Sequence, residues 1–149
     1  LELIDLEIKP MALQHLPQVR QIEQASFSSS WSLAAFLKEL ANESAYYYVG
    51  CNAQEIVGYV GAWVLKQELH ITNLAVAPDY RRRGVATQFL QLMYAKASKE
   101  NLNKVTLEVR VSNKSAQRLY IKEGFIKVKR KLNYYQDNGE DAVVMWKQV

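Results

Sequence analysis

The chain has 149 residues, 49% of them hydrophobic and 23% charged, with a formal net charge of +4 at neutral pH. That length suits a single domain, 1–149, with room for a sizeable core, and the composition is globular, neither disordered nor fibrous. One cysteine, Cys51, excludes an intramolecular disulfide framework, and no apolar run approaches the roughly 18 residues of a membrane span.

The opening Leu1-Glu2-Leu3-Ile4-Asp5 lacks the basic-then-apolar layout of a signal peptide, so a cytoplasmic protein with no membrane partner is expected. Leu3–Ile8 alternates apolar residues with acids and predicts a first strand. From Ala12 to Ala25, Leu13, Leu16, Val19, Ile22 and Ala25 follow helical spacing. A serine-rich turn, Ser28-Ser29-Ser30, then leads through Trp31 to Ser32, the predicted cap of a helix over Leu33–Leu40. Tyr46–Cys51, Ile56–Leu65 and His70–Val76 are β-rich runs; the first two are joined by Asn52-Ala53-Gln54-Glu55, and the third ends at Pro78, which cannot continue a ladder. A helix is predicted over Val85–Lys99 and a short strand over Val105–Val109. Asn113 caps the next helix and Gly124 ends it. Phe125–Leu132 and Ala142–Lys147 are the last strands. Along the first of these, Lys127, Lys129, Arg130 and Lys131 form either a solvated polar face or a surface for an acidic partner.

Strand His70–Val76, the helix after it and strand Val105–Val109 make a β-α-β unit, whose crossover helix predicts two parallel strands. The remaining sheet can be antiparallel, which gives a mixed α+β domain flanked by helices. Ligands in such sheets bind at strand ends. At the end of His70–Val76, the turn Ala77-Pro78-Asp79 runs into Arg81-Arg82-Arg83-Gly84-Val85-Ala86-Thr87. Free amides and a helix dipole there favour an anion such as phosphate, and Gly84 permits close backbone approach. The alternative is a solvated basic patch.

Glu108 sits near the end of the parallel partner in Val105-Thr106-Leu107-Glu108-Val109. Burial there is expected to raise its pKa and make it a base near neutrality; strand alternation could instead turn it to water or pair it with Arg110. Tyr120 follows Ala116 by one helical turn and carries a hydroxyl able to donate a proton; the plainer role is a core tyrosine. His15 and His70 lie far apart, with no carboxylate–histidine motif beside either, so no metal is expected. Cys51 reads as a small buried residue, not a nucleophile.

Taken together, Asn73-Leu74-Ala75-Val76-Ala77-Pro78, Arg81–Ala86 and Leu107-Glu108-Val109-Arg110…Ser112-Asn113…Ala116…Leu119-Tyr120…Gly124-Phe125 closely resemble the GCN5-related N-acetyltransferases. Ala86 stands at the final small position of that family's turn, and the likeness spans nearly the whole chain. Within the family the chain resembles the ribosomal-protein-alanine N-acetyltransferases. Phe27…Trp31-Ser32, Leu107-Glu108-Val109-Arg110 and the ending Asn133-Tyr134-Tyr135…Glu140-Asp141-Ala142-Val143-Val144-Met145 carry that part of the likeness. Phe27-Ser28-Ser29-Ser30-Trp31 is longer than that subfamily's compact Phe-Pro-Trp, and peptide preference is the property this departure touches.

The resemblance implies an acyl-CoA N-acyltransferase fold and acetyl-CoA as co-substrate, with no metal. Arg81, Arg82, Arg83, Gly84, Val85, Ala86 and Thr87 would wrap the pyrophosphate. Leu74, Ala75 and Val76 would run beside the pantetheine arm, one of their amides polarising the thioester carbonyl, and Asn113 would bond the arm. Glu108 would be general base and Tyr120 general acid, while Trp31, Asn73, Tyr134 and Tyr135 would border the acceptor. That acceptor is expected to be a protein N-terminal α-amine, on a small-subunit ribosomal protein beginning with alanine. A lysine or small-molecule amine acceptor, a non-catalytic acyl-CoA-binding module and a nucleic-acid site on the arginines are the alternatives.

Overall fold

The computed structural model describes residues 2–149. Among them, seven strands form one sheet: β1 (Glu7–Pro10), β2 (Ala45–Asn52), β3 (Glu55–Leu65), β4 (Glu68–Val76), β5 (Lys104–Arg110), β6 (Ile126–Lys131) and β7 (Ala142–Gln148). Their spatial order is β1-β2-β3-β4-β5-β7-β6. Every pairing is antiparallel except β4 with β5, which run parallel across the predicted crossover.

Helices α1 (Leu16–Ser26) and α2 (Leu33–Leu40) cover one face, and α3 (Val85–Lys99) and α4 (Lys114–Lys122) the other. Each face has its own core because strand residues alternate sides. Phe89, Leu90 and Met93 of α3 pack on Leu69, Val105 and Leu107. On the opposite face Val19 and Ile22 of α1 meet Phe36, Tyr47 and Tyr59. Burial of each such large side chain stabilises the fold by roughly 1.5–3 kcal/mol.

The caps fall where the sequence places them. Ser32 Oγ accepts from Ala35 N–H at the start of α2, and Asn113 Oδ1 accepts from Ala116 N–H at the start of α4. Two boundaries differ by more than two residues. The first strand begins at Glu7, not Leu3, because the preceding segment bonds the basic turn and α3 instead of a strand: Ile4 N–H donates to Arg83 O and Leu6 N–H to Gln88 Oε1. The first helix begins at Leu16, with Pro17 in its first turn, after a 3₁₀ turn at Leu13–His15. The Lys127–Lys131 segment is an exposed edge strand with a register shift between Lys127 and Lys129. Positive charge and a bulge protect such an edge from pairing with other chains. No helix among the described residues is long and apolar enough to cross a membrane.

Candidate active site

The parallel pairing of β4 and β5 is short: Glu68–His70 meets Lys104–Thr106, and no pairing follows. Beyond that point β5 stays with β7, while β4 stays with β3. The register of β4 on β3 shifts between Gly61 and Ala62, opposite Asn73 and Ile71, so Thr72 is a bulge where the strands part. Bulges bend strands and re-aim side chains at such places. Gly61 is required here, since a Cβ on it would collide with the ring of Tyr47. That ring lies across Gly61 and carries its hydroxyl to Asn73 Oδ1 at 3.0 Å and Thr72 Oγ1 at 2.9 Å.

The divergence opens a cavity of about 550 Å³ that reaches both faces of the sheet. From the α3/α4 side it takes Leu74, Leu107 and Tyr120; from the other it takes Asn73, Glu108 and Trp31, with Asn113 and Tyr135 at its edges. Seven of the predicted site residues, all of these but Leu107, thus meet in one cavity. Tyr134 lies outside the lining but touches Glu108. Ala75 turns into the α1/α2 core, and Val76 and Arg81–Thr87 lie beyond the cavity wall.

Glu108 is 9% exposed at its side chain and is held on three sides. His70 Nε2 is 2.9 Å from Oε2 and 3.1 Å from Oε1, the Tyr134 hydroxyl donates to Oε1 at 2.9 Å, and Lys131 Nζ is 3.9 Å away. Burial pushes its pKa upward, but the His70 bond and charge, the Tyr134 bond and Lys131 together outweigh it. The carboxyl therefore sits below its ordinary range, which reverses the expected rise. Nor does Glu108 pair with Arg110. That guanidinium donates to Asp137 Oδ2 at 2.8 Å and Glu140 Oε1 at 3.3 Å and covers the Tyr135 ring at 4.0 Å, so it fastens the loop between β6 and β7.

Tyr120 stands on α4, whose start is fixed by the Asn113 cap and by Gln117, whose amide donates to Arg110 O and Val111 O. Its ring packs 5.6 Å from Phe125. Burial, with the Tyr135 phenol adding to it, pushes its pKa up to about 12, and no protein hydrogen bond shares in that shift. At neutral pH it keeps its proton.

The basic turn is held in part by its own arginines. Arg81 donates from Nε to Val76 O and from Nη2 to Ser26 Oγ, and Arg83 donates to Glu2 O and lies over the Tyr80 ring. Two of the three arginines thus tie the turn to its neighbours. Its backbone is left-handed at two places: Arg82 and Gly84 take φ of 63° and 80°, and Gly84 opens α3 with no side-chain cap. A left-handed residue with a Cβ costs about 1–2 kcal/mol, hence the glycine.

Sequence reasoning passed over His70, set aside because it lies far from His15 and belongs to no carboxylate–histidine motif; its partner is 38 residues away. It also passed over Glu23, whose buried carboxylate lines the cavity. The parallel strand pairing was the available signal for His70, since it sets His70 opposite Thr106, two residues before Glu108.

The model of the acetyltransferase (GNAT) family matches residues 16–125. The chain is 36% identical over 140 residues to a Bacillus subtilis (strain 168) protein provisionally named a ribosomal protein bS18-alanine N-acetyltransferase, covering 93% of each. It is 36% identical over 155 aligned residues to an N-alpha-acetyltransferase of Sulfurisphaera tokodaii, covering 95% of this chain and 92% of that one. The crystal structure of the ribosomal-protein-S18-alanine N-acetyltransferase from Escherichia coli superposes with a TM-score of 0.88 at 28% identity, over 97% of this chain and 94% of the other. By sequence and by fold alike, the chain belongs to the GNAT acetyltransferase family.

Proposed function

We propose that this protein transfers the acetyl group of acetyl-CoA to the N-terminal α-amine of a protein, with the N-terminal alanine of a small-subunit ribosomal protein as acceptor, in the cytoplasm. The observation that carries the reading is the meeting of Glu108 and Tyr120 in one cavity from opposite faces of the sheet. One can take a proton on the acceptor side while the other returns one on the thiol side. The relatives' activities set the substrate class, being named for α-amine and alanine acetylation.

The residues present fit acetyl-CoA. The uncapped start of α3 offers amides and dipole to a pyrophosphate, and the edge of β4 left unpaired beyond His70 offers backbone donors and acceptors to an extended arm. Leu74 and Asn113 border the same space. When bound, acetyl-CoA supplies an activated thioester carbonyl.

An α-amine has an ordinary pKa near 8, so much of it carries an extra proton at neutrality. Glu108 accepts the proton that must leave the nitrogen. Because its pKa is depressed, the carboxylate is a weak base, and the His70 ring and the Tyr134 hydroxyl bonded to it hold it in place. As the nitrogen–acetyl bond forms and the carbon–sulfur bond breaks, Tyr120 donates its hydroxyl proton to the departing sulfur. Such acid and base groups contribute roughly 10²–10⁴-fold each.

The test is to incubate the protein with acetyl-CoA and unmodified small-subunit ribosomal proteins, then map added acetyl groups by peptide mass. Acetylation at an N-terminal alanine is expected. Acetylation confined to lysine side chains would overturn the acceptor assignment.

A further inference from the structure

Glu23, on α1, is 1% exposed, yet it lines the cavity and lies outside the Glu108–His70–Tyr134 cluster. A buried carboxylate is costly unless donors satisfy it. Both its oxygens are satisfied, by two different elements. Oε1 accepts from the hydroxyl of Tyr59 on β3, and Oε2 accepts from the backbone N–H of Trp31 at 2.8 Å. Trp31 ends the serine-rich segment between α1 and α2, and Phe27, Ser28, Ser29 and Trp31 all line the cavity.

The tie reaches further into the site. The Trp31 ring stands 5.4 Å from Phe36 and 6.3 Å from Tyr47, the residue whose hydroxyl bonds Asn73 and the Thr72 bulge. One buried carboxylate therefore joins helix, cavity wall and sheet beside the place where β4 leaves β5. The rest of the segment is exposed, with Ser28 Oγ reaching Asp137 Oδ2 at 2.8 Å across the cavity mouth. Without Glu23, the Trp31 N–H and Tyr59 O–H would both lose their partner.

We propose that Glu23 is the positioning residue of the acceptor side: its carboxylate fixes the Phe27–Trp31 wall, and acceptor binding depends on it while proton transfer at Glu108 does not. The inference rests on the acetyltransferase reading, with acetyl-CoA bound along β4 and the acceptor against this wall.

Glu23→Ala, Glu23→Gln and the double variant Glu23→Gln/Tyr59→Phe are compared with the wild type. Initial rates are measured with an alanine-initiated peptide and acetyl-CoA varied in turn, and hydrogen exchange at the Trp31 amide is followed by mass spectrometry. Glu23→Ala is expected to raise the acceptor KM about tenfold or more while the acetyl-CoA KM stays within about twofold. Trp31 exchange should quicken by about tenfold or more, as expected when its buried acceptor is lost.

Glu23→Gln should recover most of both, because its amide oxygen can accept from Trp31 and its NH₂ can donate to the Tyr59 oxygen. The double variant leaves the Gln NH₂ without the Tyr59 oxygen that anchors it, at nearly constant volume, and should fall between Glu23→Gln and Glu23→Ala. It also serves if Glu23→Ala does not fold.

A lower kcat with both KM values unmoved would overturn the proposal, as would a parallel rise in both. Wild-type kinetics and exchange in the Ala or double variant would overturn it too. A wild-type protein inert toward every amine would defeat the acetyltransferase reading instead. Trp31 exchange would then still decide whether Glu23 holds the wall.

Discussion

Replacing Tyr120 with phenylalanine removes one oxygen and leaves the ring. The ring belongs to the α3/α4 core and keeps its contact with Phe125, while the hydroxyl's raised pKa owes nothing to a protein hydrogen bond. Stability should therefore change by no more than about 1 kcal/mol. If the hydroxyl is the proton donor to the departing thiolate, kcat falls roughly 10²–10⁴-fold. That corresponds to about 3–5 kcal/mol of lost transition-state stabilisation, at 1.36 kcal/mol per decade. The assay is release of free CoA thiol, followed by absorbance with a thiol reagent, alongside acetyl-CoA affinity by calorimetry and a thermal unfolding midpoint. The expected pattern is a large loss in kcat with affinity and midpoint retained. A kcat within about threefold of wild type would refute the donor role, since no acid contribution of that class is so small.

Glu108→Gln should keep acetyl-CoA binding and lose rate most at low pH, where the acceptor amine is protonated and needs a base. The loss should shrink as pH rises and the amine deprotonates unaided, so a pH–rate profile parallel to wild type would contradict the role. Gly84→Ala should raise the acetyl-CoA KM and destabilise by about 1–2 kcal/mol, because φ is +80° there; an unchanged KM would separate the turn from cofactor binding. Hydrogen bonds from Arg110 and Ser28 lower Asp137, those of Ser112 and Arg110 lower Glu140, and those of Asn133 and Arg130 lower Asp141. Folded-state values below the unfolded ones give stability that is fully present above the ordinary 3.8 and 4.5, and is lost as pH falls through the depressed values. Arg110→Met should therefore flatten the acid side of a plot of unfolding midpoint against pH, which an unaltered plot would contradict.

Much of this architecture was legible in the residues because its signals are local. Ser32 and Asn113 mark helix starts with side chains that accept from amides three residues on, and α2 and α3 have the predicted limits. The parallel pair followed from the length of its crossover. The miss at the N-terminus has a simple origin. Leu3–Ile8 alternates like a strand, but its first amides are taken by Arg83 and Gln88 of the turn and α3, more than 75 positions away. The surroundings of Glu108 were hidden for the same reason. Burial alone predicts a raised pKa, and the sign reverses only once His70, Tyr134 and Lys131 converge from three other strands and loops. The bulge at Thr72, the ring of Tyr47 over Gly61 and the two hydrogen bonds to Glu23 likewise exist only after the sheet assembles.

Acetyl transfer to a small peptide panel, read by mass, tests the central claim most directly. The panel holds peptides beginning with Ala, Ser or Met, and one blocked at its N-terminus but rich in lysine. Acetylation of free α-amines only, with the Ala peptide fastest, is the predicted result. Acetylation of the blocked peptide alone would contradict it and reassign the acceptor to a lysine side chain.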